Sequence, residues 1–244
     1  MNNTEEKYLM LKESLHFMEG MGLEEFDYFK KLYSAIQKIK LEDIQCRTPF
    51  SNGQDEEAVE RSINGKLYRI FQNMIENDNK LHLISEMEMK KMIAKHINNA
   101  KLDFVVYPDL ILHKSQDSLD RESQLFVCEI KRLSRLDAEN FMIDINKLLL
   151  FTGDEIWDNN GYKSGIFVVV GSNLDQFMHK LSLFNENNND IELKDIEGNI
   201  NKVKFRSYIY TNTEQLKRII CFLHDGQIVK VYNIYTLISL LRSH

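Results

Sequence analysis

Pro108-Asp109-Leu110-Ile111-Leu112 and, after a polar gap, Phe126-Val127-Cys128-Glu129-Ile130-Lys131 decide how this chain is read. Each is an apolar run of strand length that carries a carboxylate at one end. Residues two apart in a strand project from the same face. Glu129 and Lys131 therefore stand together, while Cys128 and Ile130 face the other way. If the two runs pair as antiparallel neighbours, Asp109 meets Glu129 in space. Two acids and an ammonium at one end of a sheet are costly unless a cation or an anionic substrate organises them.

Upstream of the pair, residues 55–77 read as a helix capped by Asp55, with Val59, Ile63, Leu67, Ile70, Phe71 and Met74 as its buried stripe. Glu60 lies on the stripe shared by Ile63 and Leu67, and Glu56 lies one turn earlier. Gly65 weakens this helix slightly. Leu81–Ile84 reads as extended, Glu86–Ile97 as a helix, and Leu102–Tyr107 as a strand that runs into Asp109–His113. Residues 5–44 predict two helices joined at Gly20–Gly22, and residues 46–55 a loop.

Downstream, Lys114–Ser123 is a polar turn region and Gln124–Lys131 is dense enough in apolar residues to be a central strand. Ala138–Phe151 is helical with Phe141, Ile145, Leu148 and Leu149 inward, followed by a loop over Trp157–Gly165 and a buried strand at Ile166–Val170. A helix over Leu174–Asn185 precedes Asn185–Asp190, which reads as the flexible point. Val203–Tyr210 alternates like a strand, and Glu214 opens another periodic stretch. Ile219–Leu223 and Gln227–Tyr232 flank Asp225-Gly226 as a hairpin, with a short closing helix at Leu237–Leu241. The order of elements predicts an α/β fold: a mixed sheet flanked by helices.

The whole chain has 244 residues, three cysteines and a formal net charge of -6. Its 43% hydrophobic and 28% charged content is that of an ordinary globular protein. Cys46, Cys128 and Cys221 are too few and too scattered for a disulfide framework or a zinc cluster, and a reducing cytoplasm is the expected compartment. No stretch is apolar enough to cross a bilayer, and residues 1–20 carry acids where a secretory signal would be basic and then apolar. The acidity speaks against tight non-specific nucleic-acid binding, but not against an enzyme that touches phosphate briefly.

Phosphodiester hydrolysis needs a metal to polarise the phosphate, an activated water, and stabilisation of the developing charge. Magnesium prefers oxygen ligands and keeps several waters. One Asp and one Glu on neighbouring strand ends, with the Ile130 carbonyl, form a partial cage of that kind. Lys131 is placed to orient or deprotonate the water, or to neutralise the transition state.

The segment PDLIL…FVCEIKR resembles the PD-(D/E)xK nuclease superfamily, which has the restriction-endonuclease-like fold. Asp109 matches the motif aspartate, Glu129 the motif acid and Lys131 the motif lysine. A preceding helix in the superfamily often supplies a further glutamate, here Glu60. A following helix and core strand match "DINKLLLF" and "GIFVVVG", and Lys147 on that helix could face the site. The resemblance covers residues 55–171. It implies Mg2+ (or Mn2+) held by Asp109, Glu129 and Ile130, support from Glu60, assistance from Lys131, DNA as substrate, and a homodimer. The corresponding organisation is an N-terminal helical extension at 1–50, a nuclease-like core at 51–185, and a C-terminal strand and hairpin region at 186–244.

Plainer readings stand beside these. Pro108-Asp109 is also a strand-entry device, Glu129 and Lys131 a solvated edge pair, and Lys147 a helix surface charge. The run Lys131, Arg132, Arg135 is equally a solvated face or a phosphate groove. His113 reads as structural; His96, His179 and His224 lack metal spacing. Cys128 reads as apolar packing. Tyr208, Tyr210, Tyr232 and Tyr235 read as sheet packing, or as a stacking surface for bases. The rival function is a catalytically inactive protein of the same fold acting as a binding or regulatory module in a multi-protein complex.

Overall fold

The computed structural model describes residues 23–44, 55–76, 81–85, 108–114, 121–153, 161–182, 190–194, 200–204 and 213–242. Its helices are α1 (Leu23–Gln37), α2 (Leu41–Ile44), α3 (Asp55–Ile75), α4 (Ala138–Thr152), α5 (Leu174–Lys180), α6 (Thr213–Leu216) and α7 (Ile234–Arg242). Its strands are β1 (His82–Ser85), β2 (Leu110–His113), β3 (Gln124–Arg132), β4 (Ser164–Val170), β5 (Asp190–Lys194), β6 (Ile200–Lys204), β7 (Ile219–His224) and β8 (Val229–Asn233).

Six strands form one mixed sheet in the order β1-β2-β3-β4-β7-β8. β3 runs antiparallel to β2 and parallel to β4, and β4 runs parallel to β7. The three parallel strands are buried almost throughout: all of β4 and β7, and β3 from Gln124 to Ile130. That is the signature of strands covered on both faces. The covers are two apolar layers. Leu110, Cys128, Ile130, Val168 and Phe222 face a cluster with Phe29, Leu32 and Ile36 of α1 and Ile63, Leu67 and Phe71 of α3. Val127, Phe167 and Val169 face a cluster with Ile145, Leu148 and Leu149 of α4, Phe177 of α5 and Leu237 of α7. The α/β class with helices on both faces of a mixed sheet is therefore as the sequence implies.

Local chemistry sets the element ends. The Asp137 carboxylate accepts the Asn140 N–H at 2.8 Å and starts α4. Asn173 and Gln176 cap α5 reciprocally, the capping-box arrangement. In the β7–β8 turn, Gly226 takes φ +101, and Asp225 Oδ1 accepts the N–H groups of Gln227 and Ile228 at 2.9 and 2.8 Å.

Several boundaries differ from expectation. α5 stops at Lys180 rather than Asn185, because Leu181 bends out of helical geometry while its N–H still reaches the Phe177 carbonyl. Ser164 and Gly165 belong to β4, not to the preceding loop. Asp190 opens a strand, β5, that pairs antiparallel with β6 as a separate two-stranded sheet, and β6 starts at Ile200 rather than Val203. Tyr235 is helical. The expected helices before residue 23 and over 86–97, the strand over 102–107, and Cys46, His96, Tyr208, Tyr210 and the Glu56 side chain lie outside the described residues.

Candidate active site

Asp109 and Glu129 come together because β2 and β3 pair with Leu110 opposite Cys128 and Ile111 opposite Val127. That register puts Asp109, one residue before β2, beside Cys128–Ile130 of β3. The Asp109 N–H donates to the Cys128 carbonyl at 3.0 Å, and the Ile130 N–H donates to Asp109 Oδ2 at 2.6 Å. Glu129 and Lys131 project to the α4 side of the sheet, whereas Cys128 and Ile130 face the α3 side, as the period of two requires.

α3 completes the rim from one side. Asn64 Nδ2 donates to Asp109 Oδ1 at 2.9 Å. One turn earlier, Glu60 Oε1 lies 3.7 Å from Lys131 Nζ. α4 completes it from the other. With Phe141, Ile145 and Leu148 against the sheet, Asp144 and Lys147 fall on the flank facing the acids. Asp144 joins both lysines: Oδ1 is 3.1 Å from Lys147 Nζ and Oδ2 is 3.2 Å from Lys131 Nζ. Lys147 in turn donates to Glu129 Oε2 at 3.2 Å. An unbroken ionic chain thus runs Glu60, Lys131, Asp144, Lys147, Glu129.

Two findings revise the expected wiring. Lys131 pairs with Glu60 and Asp144, while the direct partner of Glu129 is Lys147. Lys147 is thus a site residue and not a free surface charge. Asn64 and Asp144 were absent from the expected set. Their signal was present as spacing: Asn64 is one turn after Glu60, and Asp144 is one turn before Lys147.

The acids outnumber the ammoniums, and the electrostatics follow. Glu129 is 3% exposed and Asp144 2%. Burial pushes the half-buried Asp109 carboxyl up to about 7, opposed by the Ile130 N–H and reinforced by the Asp144 charge. Burial also pushes Glu129 well above the ordinary glutamate range, opposed chiefly by Lys147. Burial pulls the Lys131 ammonium down, yet Asp144 and Glu60 outweigh it, so its pKa rises. For Lys147 burial is likewise outweighed by Glu129 and Asp144.

The donor set suits a hard divalent cation by type: carboxylate oxygens, three of which, Glu129 Oε1, Glu60 Oε2 and Asp144 Oδ2, are buried without a hydrogen-bond partner. In the arrangement observed, no group of three or more His, Cys, Asp or Glu side chains among the described residues is gathered closely enough to hold a metal ion.

Other candidates resolve to packing. His113 is buried in β2 and stacks on His82 with ring centroids 5.3 Å apart. Cys128 and Cys221 are buried free thiols. Tyr232 and Tyr235 pack against the α4-side cluster. The basic run divides, since Arg132 Nη2 turns to the other side and donates to the Ile44 carbonyl at 2.8 Å. Among the described residues no helix is long and apolar enough to cross a membrane. No family model, curated protein or solved structure matches the chain.

Proposed function

We propose that this chain is a metal-dependent nuclease of the restriction-endonuclease-like fold that hydrolyses phosphodiester bonds in DNA. The observation that carries this reading is the convergence of Asp109, Glu129 and Lys131 at one rim, with Glu60 alongside. Asp109 and Glu129, with the Ile130 carbonyl, would hold Mg2+ or Mn2+. The bound cation would polarise the phosphate and acidify a water. Asn64 and the Ile130 N–H fix the Asp109 carboxylate, so its oxygens are aimed before any ligand arrives. Lys131, held between Glu60 and Asp144, keeps an ammonium where negative charge develops. The parallel strands β3 and β4 end toward this rim, where open α/β sheets commonly bind ligands.

The test is cleavage of plasmid and single-stranded DNA with Mg2+ and with Mn2+. Cleavage that requires the metal and is lost in both Asp109→Ala and Lys131→Ala is the expected result. Activity that survives both substitutions refutes the assigned roles, and no cleavage of DNA or RNA with either metal refutes the nuclease reading.

One observation favours the second reading, an inactive binding or regulatory module. The buried acids already have ammonium partners, so the rim is electrostatically assembled without a metal. Calorimetric titration with Mn2+ separates the two: the nuclease binds the ion through Asp109 and Glu129, whereas the module has no need to.

A further inference from the structure

We infer that Lys147 is the resident cation of this site, and that a divalent ion must displace its ammonium from Glu129 in order to bind. The inference rests on the reading that the rim takes a divalent metal, and it adds how loading is controlled.

Glu129 and Asp144 are almost wholly buried, and buried carboxylates stripped of water need a positive partner. Lys147 is that partner for both, at 3.2 Å from Glu129 Oε2 and 3.1 Å from Asp144 Oδ1. Its side chain is 23% exposed and its ammonium rides on a flexible four-carbon stem. Lys131 differs. It is less exposed at 17%, touches Glu60 and Asp144, and makes no ion pair with Glu129. Of the two ammoniums, Lys147 is therefore the one that engages the carboxylate a metal would use.

A divalent ion and an ammonium cannot share the Glu129 carboxylate without strong like-charge repulsion in a poorly solvated rim. The remaining oxygen, Glu129 Oε1, is buried and unpartnered, so the carboxylate has capacity for a cation while half of it is engaged by the lysine. Among the described residues, the acids of the rim are paired with ammonium nitrogens. When the metal enters, Lys147 leaves Glu129 and stays tethered through Asp144, one helical turn away on α4.

The experiment compares Mn2+ affinity by calorimetry at pH 8 for wild type, Lys147→Met, Lys147→Gln and Lys131→Met. Relief of one like-charge contact predicts about tenfold tighter binding in the two Lys147 variants. Lys131→Met removes the same charge but leaves Glu129 engaged, so its gain is expected to be smaller. Unchanged or weaker binding in both Lys147 variants overturns the inference, and so does an equal gain in Lys131→Met, which would reduce the effect to net charge.

Acetylation of wild-type Lys147, read by mass spectrometry, needs no substitution. The amine is expected to be protected in EDTA and several-fold more reactive in saturating Mg2+. Reactivity that does not change with saturating Mg2+ or with saturating Mn2+ in a protein that binds Mn2+ overturns the displacement alone and leaves the nuclease reading standing. If neither wild type nor any variant binds Mn2+, the divalent reading falls and takes this inference with it.

Discussion

Asp109 carries the pH dependence that is simplest to test. Its ordinary value of 3.8 is raised to about 7 in the folded chain, first by burial. Between those values the folded protein keeps a proton that the unfolded chain releases. The stability this group contributes is therefore complete below pH 3.8 and is lost as pH rises through about 7. Asp109→Asn is expected to shrink the fall in stability between pH 5 and pH 8, by on the order of 2 kcal/mol, in urea unfolding with EDTA present. The variant can be accommodated: Asn64 Oδ1 is buried without a partner, so an Asn64 amide flip offers an acceptor to the new amide. An unaltered pH slope would contradict the burial of the ionised carboxylate. At this scale the sequence was most readable where the rule is the strand period, which set Glu129 and Lys131 together. It was least readable where helix phase decides. The stripe of α4 locates its buried face, but not which flank meets the sheet rim, and so Asp144 and Lys147 were not separable from surface charges.

Helix α4 delivers two of the site's charges, and its closeness to the sheet depends on a missing side chain. A Cβ at Gly165 of β4 would lie 3.2 Å from Leu148 Cβ and 3.1 Å from Ile219 Cγ1. Gly165→Val is expected to push α4 outward and to cost about 2 kcal/mol through overpacking. Because Asp144 and Lys147 ride on that helix, Mn2+ affinity should change as well, although the substitution touches none of the charged groups. Denaturant midpoints and calorimetry on the one variant check both parts, and unchanged metal binding would show that the rim tolerates displacement of α4. Among elements, the long periodic ones were legible: α3, α4, β3, β4 and the β7–β8 hairpin fall where their apolar patterns put them. β5 was missed because its turn-like neighbours Asn187, Asn188 and Asn189 dominate the local composition, while its pairing with β6 is not a local property.

Across the molecule, segments far apart in sequence are laced together behind the site. α1 contributes Tyr28, Phe29, Leu32, Ala35 and Ile36 to the α3-side cluster, and Ile39 just beyond the helix joins them. His224 Nε2 lies 2.6 Å from the Ile39 carbonyl, the Tyr33 hydroxyl donates to the Val229 carbonyl at 3.4 Å, and Lys163 pairs with Glu25. Leu32→Ala is expected to lower stability by about 3 kcal/mol, as for any fully enclosed leucine, and a fragment that starts at residue 55, lacking α1 altogether, is expected not to fold on its own. Circular dichroism melts of the variant and of the fragment test this, and a cooperative melt of the fragment would show the sheet to be self-sufficient. The composition and the order of elements indicated an α/β sheet, but sequence patterns carry no information on which distant faces meet. Asp144, finally, is the common neighbour of Lys131 and Lys147. Thermodynamic effects measured at 131 and at 147 will therefore not sum, and a scheme fitted to the single variants alone would count one shared interaction twice; a double-mutant cycle through both positions is the proper unit of measurement.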